Sequence, residues 1–175
     1  MMIIVDFEAL SRAQREQAAR VLTDSLPLGW PTIADARREI AARGIPENEL
    51  LAAIEDGDVI GVGGILPAYR GHVFELHLLA VRGHGVGARL LSALEAIARD
   101  RGGLTLTVGS DDEREPGETS LAGVDLYDNL PSQLAAFAPG THPAGFYLRM
   151  GYALVGVVPD ANGRGKPDIL LAKKL

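Results

Sequence analysis

Phe74-Glu-Leu-His-Leu-Leu-Ala-Val-Arg-Gly-His-Gly-Val-Gly-Ala88 runs from an apolar strand, through a glycine-rich turn, into an amphipathic helix that begins near Val86. Gly83, Gly85 and Gly87 leave the backbone bare at this junction. The first turn of a helix carries N–H groups without intrahelical partners, and the helix dipole adds positive potential there. Such a junction suits a phosphate or pyrophosphate. Its spacing, Arg82-x-x-Gly85-x-Gly87, is not the dinucleotide fingerprint, and no Gly-Lys-Ser/Thr follows to make it a P-loop.

Two polar residues interrupt the strand before the turn. Glu75 and His77 stand two positions apart, which places them on one face, roughly 6.5–7 Å apart along the strand. Regular alternation predicts that Leu79 and Val81 continue that face toward the turn. A carboxylate, an imidazole and then a phosphate cradle suit a ligand whose reactive end lies far from its phosphates, as in coenzyme A. The plainer alternative is a solvated polar face. His77 lacks the spaced His/Asp/Glu partners that a metal site needs, so no metal is expected.

The 175 residues suit one domain spanning 1–175, with 47% hydrophobic and 23% charged residues. No cysteine is present, which excludes disulfides and thiolate metal sites and fits a reducing, cytoplasmic setting. The start, Met1-Met2-Ile3-Ile4-Val5-Asp6, lacks the basic region of a signal peptide. The longest apolar stretch, Val59 to Ala68, falls short of a membrane span. A net charge of −6 argues against nucleic acid, whose binding rests on Lys and Arg. It would concentrate a cationic substrate, or simply aid solubility.

Outward from the glycine turn, periodicity predicts an order of β-α-α-β-β-β-α-β-α-β-β. Met2 to Phe7 reads as a strand and Ser11 to Leu26 as a helix. Thr32 with Asp35 resembles a capping box opening a second helix that Gly44 ends. Leu50 to Glu55 and Val59 to Leu66 form a hairpin on Asp56-Gly57. The strand Val73 to Val81 and the helix that Gly102-Gly103 ends follow. Leu104 to Val108 alternates as a strand, and Gly109 to Leu130 reads as acidic turns. Pro143 opens a short helix that ends before Gly151. Tyr152 to Val158 and Ile169 to Lys173 close the chain around the turn at Pro159 to Gly163. Short turns imply antiparallel pairing, and the one strand-helix-strand crossover implies a parallel step.

Further residues invite a functional reading. Asp111-Asp112-Glu113 follow a strand end, where open sheets often carry ligand sites, though a charged turn explains them equally. Tyr147, beside Phe146, reads as a core or rim aromatic. Trp30-Pro31 before a helix reads as a hydrophobic staple.

The glycine turn after a strand, in this order of elements, resembles the acetyl-CoA-dependent N-acetyltransferases of the GNAT superfamily. A longer set is similar to the aminoglycoside 6'-N-acetyltransferases: Glu75-Leu76-His77, Arg101-Gly102-Gly103, Gly109-Ser110-Asp111-Asp112, Asp125-Leu126-Tyr127, His142-Pro143, Phe146-Tyr147, Met150-Gly151-Tyr152 and Val155 to Gly163 with Lys166-Pro167-Asp168-Ile169. The resemblance covers most of residues 50–175 and only loosely the first 50, chiefly through Trp30-Pro31.

The resemblance implies an α/β fold, mixed and α+β-like, with a central, mostly antiparallel sheet flanked by helices. It implies acetyl transfer from acetyl-CoA to an aminoglycoside amine in a ternary complex, antibiotic resistance, and a homodimer. Glu75 would accept the amine's proton, with His77 a second candidate, and Tyr147 would protonate the leaving thiolate or hold the sulfur. Backbone N–H groups near Leu79, Ala80 and Val81 would polarise the thioester carbonyl. Around Arg82 and His84, the amides of Gly83, Gly85, Val86, Gly87 and Ala88 would hold the pyrophosphate. Trp30, Glu75, Asp111 and Asp112 would meet the aminoglycoside. Other readings are a transferase for another polyamine or peptide amine, and a non-catalytic acyl-CoA-binding regulator. Two departures stand out: Leu78 replaces the family's proline, and Val81 abuts Arg82 directly. Either the loop is trimmed or residues are absent at that junction. An intact mass above 18.5 kDa would mark the second.

Overall fold

The computed structural model describes residues 1–43 and 48–175, in two compact units: Met1–Leu104 with Leu175, and Thr105–Lys174. Gly44, the expected stop of the second helix, lies outside the described residues.

The first unit carries β1 (Ile3–Asp6), α1 (Arg12–Ser25), α2 (Ile33–Arg43), β2 (Glu49–Glu55), β3 (Asp58–Ala68), β4 (Val73–Val81) and α3 (Val86–Asp100). Its strands pair antiparallel in chain order, β1-β2-β3-β4. The hairpin turns as the sequence expects, with positive φ at both Asp56 (52°) and Gly57 (93°). The α2 start also holds: the Asp35 amide donates to Thr32 Oγ1 (3.2 Å) and Asp35 Oδ2 accepts from the Thr32 amide (3.1 Å). Asp thus completes the box in place of Glu or Gln.

Two layers pack on this sheet. On one face Ala18, Val21 and Leu22 of α1 and Ala36 of α2 bury against Val59, Val62, Leu78 and Ala80. On the other, α3 lies close over β3 because Gly61 and Gly63 have no side chains. A Cβ on Gly61 would come within 2.8 Å of Val86 and 2.9 Å of Leu90, and one on Gly63 within 3.0 Å of Leu94. Full burial of a leucine such as Leu90 contributes about 1.5–3 kcal/mol. The helix ends at Gly102 (φ 84°), with Gly103 N–H bonded to Ala98 O (2.8 Å) and Gly102 N–H to Arg99 O (2.9 Å). This is a Schellman closure.

The second unit carries β5 (Thr105–Asp111), α4 (Leu130–Ala135), α5 (Ala144–Arg149), β6 (Ala153–Val158) and β7 (Asp168–Lys174). Its strands pair antiparallel in the order β5-β7-β6. All pairings within each unit are antiparallel; the expected parallel step, β4–α3–β5, would join one unit to the other. The sequence missed α4, a six-residue turn that starts from a left-handed Asn129 (φ 53°). Six residues are too few to show a helical period. The strand β5 also runs on to Asp111, paired with Asp168, rather than stopping at Val108.

Candidate functional site

The glycine turn is where the local chemistry of the first unit is clearest. Arg82 still bonds to β3, its N–H donating to Ile60 O at 2.7 Å. The chain then reverses through Gly83 (φ 86°) and Gly85 (φ 78°), a left-handed backbone that only glycine adopts without strain. A Cβ at either position would meet nothing within 4 Å, so the demand is conformational and not steric. Arg89 N–H makes the first helix-closing bond, to Gly85 O at 3.3 Å, so the amides of Val86, Gly87 and Ala88 precede the α3 ladder. Gly83, His84 and Gly85 are exposed. Arg82 pairs with Asp24, and Ser25 Oγ donates to Val81 O (3.1 Å), so the end of α1 holds the end of β4.

The expected continuous face from Glu75 to Val81 is corrected by a bulge. Gly64 pairs with Leu78 and Ile65 with Leu76, which leaves His77 as an extra residue on β4. One extra residue inverts every later side chain. His77 turns to α2, where its Nε2 lies 2.6 Å from Glu39 Oε1. Leu79 and Val81 instead lie on the α3 side: their methyls are the neighbours, each at 3.3 Å, of a Cβ built on Gly63 and Gly61 respectively. Glu75 and His77 thus share one face, and the glycine turn does not continue it. Glu75 is exposed and His77 half-buried. Trp30 is half-buried against the α1/α2 core cluster.

In the second unit Asp111 and Asp112 part company. Asp111 is exposed, and its Oδ1 accepts from Asn162 Nδ2 at 2.6 Å. Asp112 is 0% exposed, its Oδ1 accepting from Glu118 N–H (2.8 Å) and its Oδ2 from Thr119 N–H (2.7 Å). Burial alone would raise its carboxyl pKa; the Glu118 and Thr119 hydrogen bonds outweigh that and hold it low. The expectation that Asp112 meets a substrate ammonium is corrected to this extent: its carboxylate is engaged inside the loop.

The sequence missed His142 as an organiser of this end. Its Nδ1 accepts from Ala144 N–H (3.2 Å), so its Nε2 carries the proton and donates to Asp111 O (3.0 Å). One ring thereby ties the end of β5 to the start of α5, which carries Tyr147. Among the described residues, Asp112, Glu118 and His142 form the one group spaced to hold a metal ion, their ligand atoms within 4.8 Å of one another. The atoms of Asp112 and His142 are already engaged in the loop. Tyr147 is 8% exposed, edge-on to Phe146 (5.1 Å) and Tyr152 (5.7 Å). Burial pushes its phenol pKa up, so it stays protonated and able to donate at neutral pH.

Comparison with known proteins adds to this geometry. The family described as "Acetyltransferase (GNAT) family" matches residues 15–115. The crystal structure of the aminoglycoside 6'-N-acetyltransferase from Enterococcus faecium is 32% identical, with a TM-score of 0.88, covering 98% of this chain and 96% of that one. An aminoglycoside 6'-N-acetyltransferase complexed with coenzyme A is 33% identical, with a TM-score of 0.89 and the same coverage of both chains. An aminoglycoside 6'-acetyltransferase type Ii follows at 28% and 0.75, again covering 98% and 96%. Among curated proteins none matches the chain.

Proposed function

The chain belongs to the acetyltransferase (GNAT) family, and on that premise we propose that it is an aminoglycoside 6'-N-acetyltransferase acting through a ternary complex. The near-full-length likeness to two such enzymes is the observation that supports this most. Acetyl-CoA is the co-substrate, and the turn Arg82–Gly87 with the first amides of α3 holds its pyrophosphate. The net charge of −6 favours a polycationic acceptor.

The residues divide the reaction as follows. The acceptor amine arrives mostly as ammonium and must lose a proton before it can attack. Glu75, exposed on β4, takes that proton directly or through water, with His77 as a second relay. The nitrogen attacks the thioester carbonyl, and backbone N–H groups near Leu79, Ala80 and Val81 stabilise the developing oxyanion. The C–N bond forms and the C–S bond breaks; the departing thiolate is held by the Tyr147 hydroxyl or takes its proton, and the second proton, lost by the newly acylated nitrogen, passes directly or through water to whichever of the two is left deprotonated. Asp111 contacts an ammonium of the acceptor, while Asp112 holds the loop behind it.

The same reading makes residues 1–175 one acetyltransferase domain, cytoplasmic, homodimeric and protective against the antibiotic. Among the described residues no helix is long and apolar enough to cross a membrane. A thiol-release assay with acetyl-CoA and a panel of kanamycin-type aminoglycosides, polyamines and peptides tests it. Release with the aminoglycosides is expected. Release only with other amines would move the acceptor class, and acetyl-CoA binding without any release would make the protein a binder.

A further inference from the structure

Glu39 has no part in the reaction outlined above, yet its carboxylate meets the imidazole of His77. Its Oε1 lies 2.6 Å from His77 Nε2, and both side chains keep only about one-fifth of their exposure (20% and 22%). We propose that Glu39 is a positioning residue that fixes the tautomer and orientation of His77 for proton relay; this rests on the acetyltransferase reading given above. An ionised carboxylate only accepts hydrogen bonds. Nε2 must then carry the hydrogen, and the neutral ring keeps its lone pair on Nδ1. The relay nitrogen is therefore Nδ1, and alternation puts His77 on the strand face that also carries Glu75. The bulge supplies the other half of the device. His77 is the unpaired residue of β4, and a bulge commonly re-aims the side chain it inserts.

A merely structural tie between helix and strand is the competing explanation. The helix α2 is anchored without it, however. Ala36 is 0% exposed, Ile33 and Ile40 pack on the core cluster, Arg37 pairs with Glu16 of α1 at 2.5 Å, and the Thr32–Asp35 box closes its start.

The experiment uses the full chain, with Glu39→Ala and Glu39→Gln. Nitrogen-15 NMR of the His77 ring in the acetyl-CoA-free protein reads the tautomer without any substrate. Steady-state kinetics with the aminoglycoside reads catalysis. The wild type is expected to show Nε2–H with an unprotonated Nδ1. Glu39→Ala should mix the tautomers and lower kcat about 10-fold, part of the 10²–10⁴ that general acid–base catalysis supplies, with both KM values unchanged. Glu39→Gln keeps an acceptor oxygen and should restore most of the tautomer and the rate. An unchanged tautomer and kcat in Glu39→Ala, even with a lowered melting temperature, would overturn the proposal. So would a raised amine KM at constant kcat, which would make Glu39 a substrate contact. A wild type inactive on every amine would sink the functional reading and this role with it; the tautomer measurement tells that failure from a failure of the pair.

Discussion

The ends of β4 and β5 are built from opposite parts of the chain. At the end of β4 the backbone faces outward: Gly83 and Gly85 are exposed, with positive φ, and the first amides of α3 precede its ladder. At the end of β5 the backbone is held by side chains facing inward. Asp112 caps the Glu118 and Thr119 amides, and His142 ties Asp111 O to Ala144 N–H. A cradle for a constant ligand such as pyrophosphate can be made of backbone alone. A wall facing a variable amine needs side chains, and those need a rigid loop behind them.

That contrast predicts which substitutions touch rate, stability or binding. Glu75→Ala should have the largest effect, lowering kcat about 100-fold or more at an unchanged melting temperature, because Glu75, the proposed base, is exposed. Pre-steady-state acetyl transfer and thermal melts check both halves. Asp112→Ala should act at the other extreme. It orphans the buried Thr119 amide, at about 1–3 kcal/mol, and the part-buried Glu118 amide at less, so the melting temperature falls while acetyl-CoA affinity holds.

Asp112 also sets an acid limb. Its folded pKa lies below the unfolded value, so its stabilisation is complete above the unfolded carboxylate pKa of about 3.9. That stabilisation is lost as pH falls through the lower folded value. Denaturant midpoints of the wild type should drop below about pH 4, and those of Asp112→Asn should drop less.

Gly85→Val breaks the β4 end instead. A β-branched residue in the left-handed region costs about 1–3 kcal/mol, so the turn rearranges and acetyl-CoA affinity falls about 10-fold by calorimetry. The smallest effect belongs to Arg82→Ala. Its pair with Asp24 is exposed, and such pairs contribute about 0–1 kcal/mol, so the melting temperature should barely move.

Sequence and structure agree where period and turn chemistry are strong. The Asp56-Gly57 hairpin, the Thr32–Asp35 start, the Gly102-Gly103 stop and the glycine turn all stand where residue types place them. They differ where one residue decides a face. Spacing cannot record a single inserted residue, so the bulge at His77 was invisible, and with it the inversion of Leu79 and Val81. Neighbouring aspartates read alike in sequence, yet the 112–119 loop folds back on only one of them. Glu39 stands 38 positions from His77, and no local pattern joins them.

The nitrogen that is acetylated tests the central claim most directly. The purified chain, acetyl-CoA and kanamycin should give a product that NMR shows to carry one acetyl group, on the 6'-amine. Acetylation at another ring amine, or none while a polyamine or peptide is acetylated, would contradict it.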